Sequence, residues 1–438
     1  MNGIFFAIVA IAFAVAAVRQ VIEGTTGDPS PMQALASVVI DSASGAVELA
    51  IGLVGVMTLF LGLMKVAEKG GLLLIIARLV QPLMRRLFPD VPADHPAMGA
   101  MILNISANVL GLGNAATPFG IRAMQALDSL NPNKGTATNA MVVFLAINTS
   151  SVTLLPTGVI ALRAAAGSAD PAGILPTTLF ATILSTAAGI TAALALGRFW
   201  PVRPEPVDDA AGAEGEAVSA NAPASTGADQ DAEASAIGTP YPSWVSITAL
   251  LAIVAFVPLS VIYGRAVAPW IIPGLVVGLL GFGVARRVPV YEVFVDGARE
   301  GFQVALRIIP YLVAILVAVG MFRQSGALEL LVTPLSALTE PLGMPAEALP
   351  MALLRPLSGS GAYGVLASII NDPAIGPDSY TGYLVSTLQG STETTFYVLA
   401  VYFGAIGIKR IRHALAAGLI ADAAGIIGAV IACSIVLA

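Results

Sequence analysis

Long runs of apolar residues dominate this chain and predict membrane-spanning helices. A helix needs about 20 predominantly apolar residues to cross the roughly 30 Å of hydrocarbon in a bilayer. No basic residue precedes the first run, so we interpret it as an uncleaved span rather than as a signal peptide. A shorter, glycine-rich run at 269–285 predicts an additional span. The main predicted spans lie at 3–18, 45–63, 138–162, 174–197, 244–263, 303–320, 381–407 and 413–437.

Two other apolar segments predict helices of a different kind. Residues 72–88 and 327–343 are apolar on one face and are interrupted by Pro82 and Pro334. Amphipathic segments of this type lie in the membrane interface or pack beside a core. We therefore expect two helices that do not cross the membrane.

A polar segment separates the apolar runs into two groups. Residues 201–243 contain eight acidic residues, one basic residue and almost no large apolar side chain. A segment of this composition cannot bury enough apolar surface to offset the entropy of ordering. The sequence therefore predicts a membrane half at 1–200, a disordered acidic linker at 201–243 and a second membrane half at 244–438.

The composition agrees with a membrane protein. Hydrophobic residues make up 57% of the chain and charged residues 11%, whereas soluble domains have about 45–50% and about 25%. The net charge is −6, but the linker alone contributes −7, so the membrane halves are nearly neutral and nucleic acid is not an expected partner. One cysteine and two histidines predict no disulfide framework, no metal site and no cofactor.

The two halves are related to each other. Asp41 and Pro82 in the first half recur as Asp296 and Pro334 in the second, at offsets of 255 and 252 residues. Related features at a nearly constant offset indicate a duplicated unit. The sequence leaves open whether the two copies have the same or opposite orientation. We predict an all-α polytopic membrane protein of two homologous halves, with broken or re-entrant helices of the kind found in transporters.

Each half has two segments that interrupt a helix with glycine, proline and polar residues. Segment 104–120 aligns with 355–364, so that Asn104 and Ser106 match Ser358 and Ser360, and segment 148–153 aligns with 391–395. Irregular backbone at membrane depth is tolerated only where protein buries it or where it lines a cavity. Broken segments at corresponding positions of two repeats indicate a transporter site at the membrane midplane.

The polar side chains of these segments are the candidate solute-binding groups. Any single Ser or Thr could instead bond to a carbonyl one turn back in its own helix, and small residues could serve helix packing alone. The clusters favour a lined cavity. The candidates are Asn104, Ser106, Asn108, Asn114, Thr117, Asn148, Thr149, Ser150, Ser151, Thr153, Ser358, Ser360, Ser391, Thr392, Glu393, Thr394 and Thr395.

Glu393 is the candidate ion-coupling group, because it is a carboxylate inside an otherwise apolar span. Burying it without compensation would cost several kcal/mol, so it needs a partner, a proton or a cation. Alternatively, it forms a structural ion pair with Arg355 or Arg307. Asp422 is a weaker candidate, since it could lie near a span end. The Arg355 guanidinium could hold a carboxylate, either of Glu393 or of a solute.

Long motifs in both halves resemble a known family. The first half, with LGLMKVAEKGG and FLAINTSSVTLLPTGVIALR, resembles spore maturation protein A. The second, with RPLSGSGAYG and GSTETTFYVLAVYFGAIGIKR, resembles spore maturation protein B. The chain is therefore similar to a fusion of the two, with the nucleoside recognition or gate domain in each half. The resemblance implies that Gly390 to Glu393 is similar to the solute-contacting segment of concentrative nucleoside transporters, with Ser in place of Gln.

The sequence favours a secondary transporter or permease, not an enzyme. Its expected partners are the lipid bilayer, a proton or sodium ion, and a small polar solute of the nucleoside, amino acid or short peptide class. The alternative is a non-transporting scaffold in envelope or spore maturation. Spans rich in glycine and alanine make a homodimer plausible. We expect a multi-pass protein of the bacterial inner membrane, with Lys409, Arg410 and Arg412 in a cytoplasmic loop.

Overall fold

The described residues of the first half form eight helices. The computed structural model describes residues 2–24, 29–200 and 237–437, and in these residues it has helices and no β-strand. The helices are α1 (Asn2–Glu23), α2 (Pro31–Lys69), α3 (Leu72–Leu87), α4 (Pro96–Val109), α5 (Gly113–Ser129), α6 (Asn139–Ser150), α7 (Thr157–Ala165) and α8 (Leu175–Leu196).

The described part of the second half forms a corresponding series. Its helices are α9 (Ser243–Ala285), α10 (Val290–Gln324), α11 (Ala327–Thr339), α12 (Leu349–Leu354), α13 (Gly359–Ile370), α14 (Tyr380–Ser391), α15 (Thr395–Gly404) and α16 (Ala414–Val436). The prediction of two spans at 244–263 and 269–285 was wrong, because a single continuous helix covers both. Pro269 and Pro273 in that region do not end it.

The fold is that of an all-α polytopic membrane protein, as predicted. In the described residues, four helices are long and apolar enough to cross a membrane: Phe5–Glu23, Pro31–Lys69, Leu175–Leu196 and Ala414–Val436. A fifth crossing is formed if the bent pair Leu312–Gln324 and Ala327–Ala337, which turns by 74°, counts as one span.

The end of the predicted linker is attached to the first half. The Arg78 Nε donates to the Ile237 carbonyl at 2.6 Å, and the Tyr241 amide donates to the Arg78 carbonyl at 3.4 Å. Ile237 is buried in the apolar core beside α3. The prediction of disorder through residue 243 was therefore wrong for 237–243. Residues 201–236 lie outside the described residues.

The two halves pack with their equivalent helices antiparallel. Gly301 of α10 lies against Thr58 of α2, and Gly320 lies against Ser42, so residue numbers rise along one helix as they fall along the other. The helices α8 and α16 show the same arrangement. Repeats that meet in this way are inverted and are related by an approximate two-fold axis in the membrane plane. The structure thus resolves the orientation that the sequence left open.

Small residues hold α8 against α16. Gly189 contacts Ala421, and Gly428 contacts Ala181, which lets the two backbones approach closely. These glycine and alanine residues are the ones that suggested a homodimer. Because they pack the two halves of one chain together, they no longer support association of two chains, and the homodimer stays a prediction.

Each half combines a re-entrant hairpin with a broken span. The helices α4 and α5 pack side by side, and the Asn104 side chain of α4 bonds to the Ala116 carbonyl of α5. The short α12 and α13 pack in the same way in the second half. By contrast, α6 starts beside Gly197 at the end of α8, and α7 leads into the start of α8, so the pair runs the length of that helix. Likewise, Tyr380 at the start of α14 bonds to Ser434 near the end of α16, and α15 leads into the start of α16. Each of these pairs therefore continues across a break rather than turning back.

Different interactions join the halves at the two membrane faces. At one face, the buried Arg163 donates to Asp378 at 3.0 Å and to the Pro377 carbonyl at 2.5 Å, and its guanidinium lies over the Tyr383 ring. At the other face, the amides of Lys409 and Arg410 both donate to the Gly135 carbonyl. The first contact links α7 to a loop of the second half, and the second links two loops.

Cysteine labelling tests the inverted arrangement. Ala169 follows α7 and Lys409 follows α15, so they are at equivalent places in the two repeats and are both exposed. In a Cys433→Ala background, we expect a membrane-impermeant maleimide to label Ala169→Cys and Lys409→Cys from opposite sides of the membrane. Labelling of both from the same side would contradict inversion. The native Cys433 is buried, and its replacement removes background signal.

Candidate functional site

The four breaks in the helices meet at one place and satisfy each other's backbone. Within the first half, the Leu154 amide donates to the Val109 carbonyl at 2.9 Å. Within the second half, the Phe396 amide donates to the Pro356 carbonyl at 3.1 Å. Between the halves, the Glu393 amide donates to the Thr149 carbonyl at 2.8 Å. The broken segments that the sequence singled out therefore come together.

This meeting point lies at the middle of the two long central helices. Gly425, halfway along α16, lies so close to the Thr392 methyl group that an added Cβ would be 2.7 Å from it. The Ser185 hydroxyl, halfway along α8, donates to the Ala421 carbonyl at 2.8 Å. Helices of 22 and 23 residues are about 33 Å long, close to the thickness of the hydrocarbon layer. The breaks therefore lie near the membrane midplane.

Thr182 covers the end of the broken span in the first half. Its hydroxyl lies 2.8 Å from both the Ser150 and the Ser151 carbonyl oxygens, which α6 leaves without helical partners. The hydroxyls of Thr149 and Ser150 bond to the Ala146 carbonyl of their own helix, at 3.0 and 2.8 Å. Those two side chains thus follow the simpler alternative of bonding within the helix. Thr182 lies outside the broken segments predicted from the sequence, so nothing in the sequence pattern indicated it.

Arg355 binds the end of the broken span in the second half, although it lies in the hairpin break and not on a long central helix. Its guanidinium donates to the Thr394 hydroxyl at 3.0 Å and to the Thr392 carbonyl at the end of α14. The Ser391 hydroxyl bonds within its helix, to the Leu388 carbonyl at 3.1 Å. The end of one broken span is therefore covered by a hydroxyl and the other by a cation, although the two halves have related folds.

The two carboxylates of the site have environments opposite to those expected. The Glu393 side chain is 49% exposed and lies 3.8 Å from the Arg355 guanidinium, so it is not enclosed in the span. Asp422 was expected near a span end. It is instead the ninth residue of α16, is 4% exposed and accepts a bond of 2.7 Å from the Thr395 hydroxyl. Its other oxygen, Oδ1, has no hydrogen-bond partner among the described residues.

A buried network joins the first hairpin to the second half. The Asn104 amide donates to the Tyr402 hydroxyl at 3.1 Å, and that hydroxyl donates to the Asn148 Oδ1 at 3.3 Å. The Asn108 amide donates to the same Asn148 oxygen at 3.0 Å. Three predicted binding residues are therefore joined through Tyr402, which the sequence did not indicate because it lies 254 residues after Asn148.

The remaining candidates are distributed more widely. The Ser106 hydroxyl bonds within α4, and the Ser358 hydroxyl caps α13 by accepting from the Gly361 amide at 3.0 Å. Ser360 is exposed and Thr153 is half-buried, with its hydroxyl 3.3 Å from the Ser151 carbonyl. Thr117 is half-buried. The side chain of Asn114 lies outside the part of the chain that the structure describes.

The alignment of the first pair of broken segments was wrong in register. It matched Asn104 and Ser106 with Ser358 and Ser360. In the structure, Asn104 and Ser106 lie inside α4, before the break at 110–112, whereas Ser358 ends the equivalent break and Ser360 follows it. The first hairpin has a longer entering helix than the second, and the nearly constant offset of the preceding residues did not reveal this difference.

A substitution at Gly120 tests the network around Tyr402. An added Cβ at Gly120 would clash with the Tyr402 hydroxyl oxygen, which Asn104 and Asn148 hold in place. We expect Gly120→Ala to destabilise the protein by about 1–3 kcal/mol through overpacking. Thermal unfolding in detergent measures this effect.

The control is Gly404→Ala, because no atom lies within 4 Å of a Cβ added there. The Tyr402→Leu background removes the ring, whose hydroxyl oxygen and nearest carbons would all clash with the added Cβ, and should make Gly120→Ala less damaging. An equal loss at Gly120 with or without the ring would contradict this contact.

Comparisons with known proteins identify the family. A family model described as Gate, nucleoside recognition, matches residues 50–166 and 305–409, one stretch in each half and just over half of the chain. No solved structure matches.

Two proteins of Bacillus subtilis (strain 168) are similar to parts of this chain. Spore maturation protein B is 48% identical over 160 residues, which are 36% of this chain and 89% of that protein. Spore maturation protein A is 47% identical over 154 residues, which are 35% of this chain and 79% of that protein. The chain thus combines regions similar to the two spore maturation proteins and belongs to the nucleoside recognition Gate family.

Proposed function

We propose that this protein is a secondary transporter or permease for a small polar solute in the bacterial cytoplasmic membrane. The observation that carries the proposal is the meeting of broken helices from two inverted halves near the midplane, marked by the Glu393 to Thr149 backbone bond. In transporters built from inverted repeats, substrate and coupling ions bind at such a junction. The Gate family's description, nucleoside recognition, is in keeping with solute binding.

The groups that remain accessible at the junction are the ones we propose for solute contact. Glu393 and Ser360 are exposed, and Thr153 is half-buried. Asn104, Asn148 and the hydroxyls of the helix ends are already bonded to protein groups, so their role is to hold the breaks in shape. The solute would bind beside the breaks rather than among these bonded groups.

Asp422 is the stronger of the two candidates for ion coupling. An ionised carboxylate buried at this depth is costly unless a proton, a cation or a base compensates it. Thr395 bonds one Asp422 oxygen, and the guanidinium of Arg355 attracts the carboxylate electrostatically. Thr182 is at the corresponding turn of α8, so the first half has a hydroxyl where the second half has an ionisable group. A single coupling carboxylate is therefore expected.

The buried charges favour transport over the scaffold alternative. A protein that used these segments only for packing would need small and hydroxyl side chains, as in the first half. Arg355 and Asp422 add a cation and a carboxylate at the same depth, where buried ionisable groups are expensive and usually functional. We also propose that the face carrying Lys409 is cytoplasmic, since basic residues concentrate in cytoplasmic loops.

Ligand-dependent stabilisation followed by uptake tests the function. Purified full-length protein in detergent is screened for thermal stabilisation by nucleosides, amino acids, dipeptides and dicarboxylates. A solute at about 100 times its Kd should stabilise the folded state by about 2.7 kcal/mol. Proteoliposomes are then tested for uptake of that solute under an imposed proton or sodium gradient. If no solute stabilises the protein and none is taken up, the scaffold alternative is favoured.

Asp422→Asn tests the coupling role. The variant keeps the size of the side chain and removes its charge, so we expect gradient-driven accumulation to fall at least tenfold while solute counterflow is retained. Asp41→Asn is the matched control, because Asp41 is an exposed carboxylate in α2, away from the breaks. Unchanged accumulation by Asp422→Asn would rule out coupling through this residue.

A further inference from the structure

We infer that the solute is zwitterionic, an α-amino acid or a short peptide, whose carboxylate binds Arg355 and whose ammonium group binds Glu393. This inference rests on the proposed function and narrows its substrate class. It depends on one acid and one base at the junction of the breaks, Glu393 and Arg355, which form the ion pair given above as an alternative, at 3.8 Å and without a hydrogen bond between them.

Arg355 is positioned to receive a carboxylate. It lies at the tip of the second hairpin and its side chain is 7% exposed. The guanidinium is oriented by the Thr394 hydroxyl and the Thr392 carbonyl, both neutral groups, so its charge is not cancelled by those contacts. Its Nε has no hydrogen-bond partner among the described residues. A planar guanidinium with donors to spare is the side chain best suited to bind a carboxylate through two parallel hydrogen bonds.

Glu393 does not occupy the hydrogen-bond donors of the Arg355 guanidinium. Its nearest carboxylate oxygen is 3.8 Å from the Arg355 guanidinium, which is beyond hydrogen-bonding distance. The side chain is 49% exposed, whereas Arg355 is nearly buried, so the acid lies on the open side of the pair and the base on the closed side. A solute approaching from the open side therefore meets both charges.

The chemistry of the pair selects among solute classes. A neutral nucleoside would compete with water for both ionic groups and satisfy neither charge. A simple anion would bind the guanidinium but would be repelled by Glu393. A zwitterion brings a carboxylate to Arg355 and an ammonium group to Glu393, so each charge gains a partner of opposite sign. The exposed rings of Phe396 and Tyr397 follow Glu393 and would contact the body of the solute.

The first half has no pair of charged residues equivalent to Arg355 and Glu393 at its breaks. Its hairpin break at 110–112 consists of Leu110, Gly111 and Leu112, and its broken span continues through Ser151, Val152 and Thr153. None of these residues carries a charge. Both ionic contacts therefore come from one half, which would bind the solute in one orientation at a pseudo-symmetric junction.

Solute analogues test the inference on the unmodified protein. The probes are an apolar α-amino acid, its methyl ester, its N-acetyl derivative and a panel of neutral nucleosides, each measured by thermal shift of the full chain in detergent. The ester lacks the carboxylate and the N-acetyl derivative lacks the ammonium group. We expect the zwitterion to bind about tenfold or more tightly than either derivative, because each derivative loses one charge-assisted contact.

Variants of Glu393 and Arg355 test which residue binds the ammonium group of the solute and which binds its carboxylate. Glu393→Gln should reduce the preference for the amino acid over its N-acetyl derivative to about onefold, and Arg355→Lys should reduce the preference over the methyl ester. Arg323→Gln is the control, because Arg323 is an exposed arginine that pairs with Asp372 away from the breaks. It should leave both preferences unchanged. The measurements on the unmodified protein need no variant, so they decide the inference even if Arg355→Lys does not fold.

The outcomes separate this inference from the proposed function. Binding and uptake of neutral nucleosides with no response to zwitterions would overturn the inference and leave the transporter proposal standing. Equal binding of the amino acid, its ester and its N-acetyl derivative would also overturn it. The absence of any binding and any uptake across the wider screen would overturn both.

Discussion

A backbone that leaves its helix inside a membrane must find its hydrogen bonds within the protein, and this constraint governs both halves. The hydrocarbon layer holds no water to replace a lost helical bond, and each unsatisfied group that faces it costs several kcal/mol. Here the breaks supply partners for one another, through the bonds of Leu154 to Val109, Phe396 to Pro356 and Glu393 to Thr149. Because the last bond crosses between the halves, neither broken span is complete without the other half.

The inverted packing makes this exchange possible. Equivalent helices run antiparallel, so the break of each half arrives at the midplane from the opposite face. Gly425 and Ser185 at the middle of the central pair allow the close approach that brings Thr392 to this depth. Contacts at the two membrane faces then join the outer ends of the halves. The buried Arg163 binds Asp378 at one face, and backbone bonds join Lys409 and Arg410 to Gly135 at the other.

Within this near-symmetric frame the two halves differ in charge. Thr182 covers the broken span of the first half with a neutral hydroxyl, whereas Arg355, Glu393 and Asp422 bring ionisable groups to the second. The fold is thus duplicated, whereas the ionisable groups at the breaks belong to the second half. The symmetric part accounts for the shape of the junction, and the asymmetric part accounts for the ion coupling and solute binding that we propose.

The sequence by itself determined most of the spans, the duplication and the positions of the breaks, because apolar length, glycine and proline act locally along the chain. It did not determine the orientation of the halves or the environment of the carboxylates. Glu393, expected to be enclosed, is half exposed, and Asp422, expected near an end, is buried. Both results depend on packing between residues far apart in the chain, as does the contact of Tyr402 with Asn104. Only the tertiary structure could decide them.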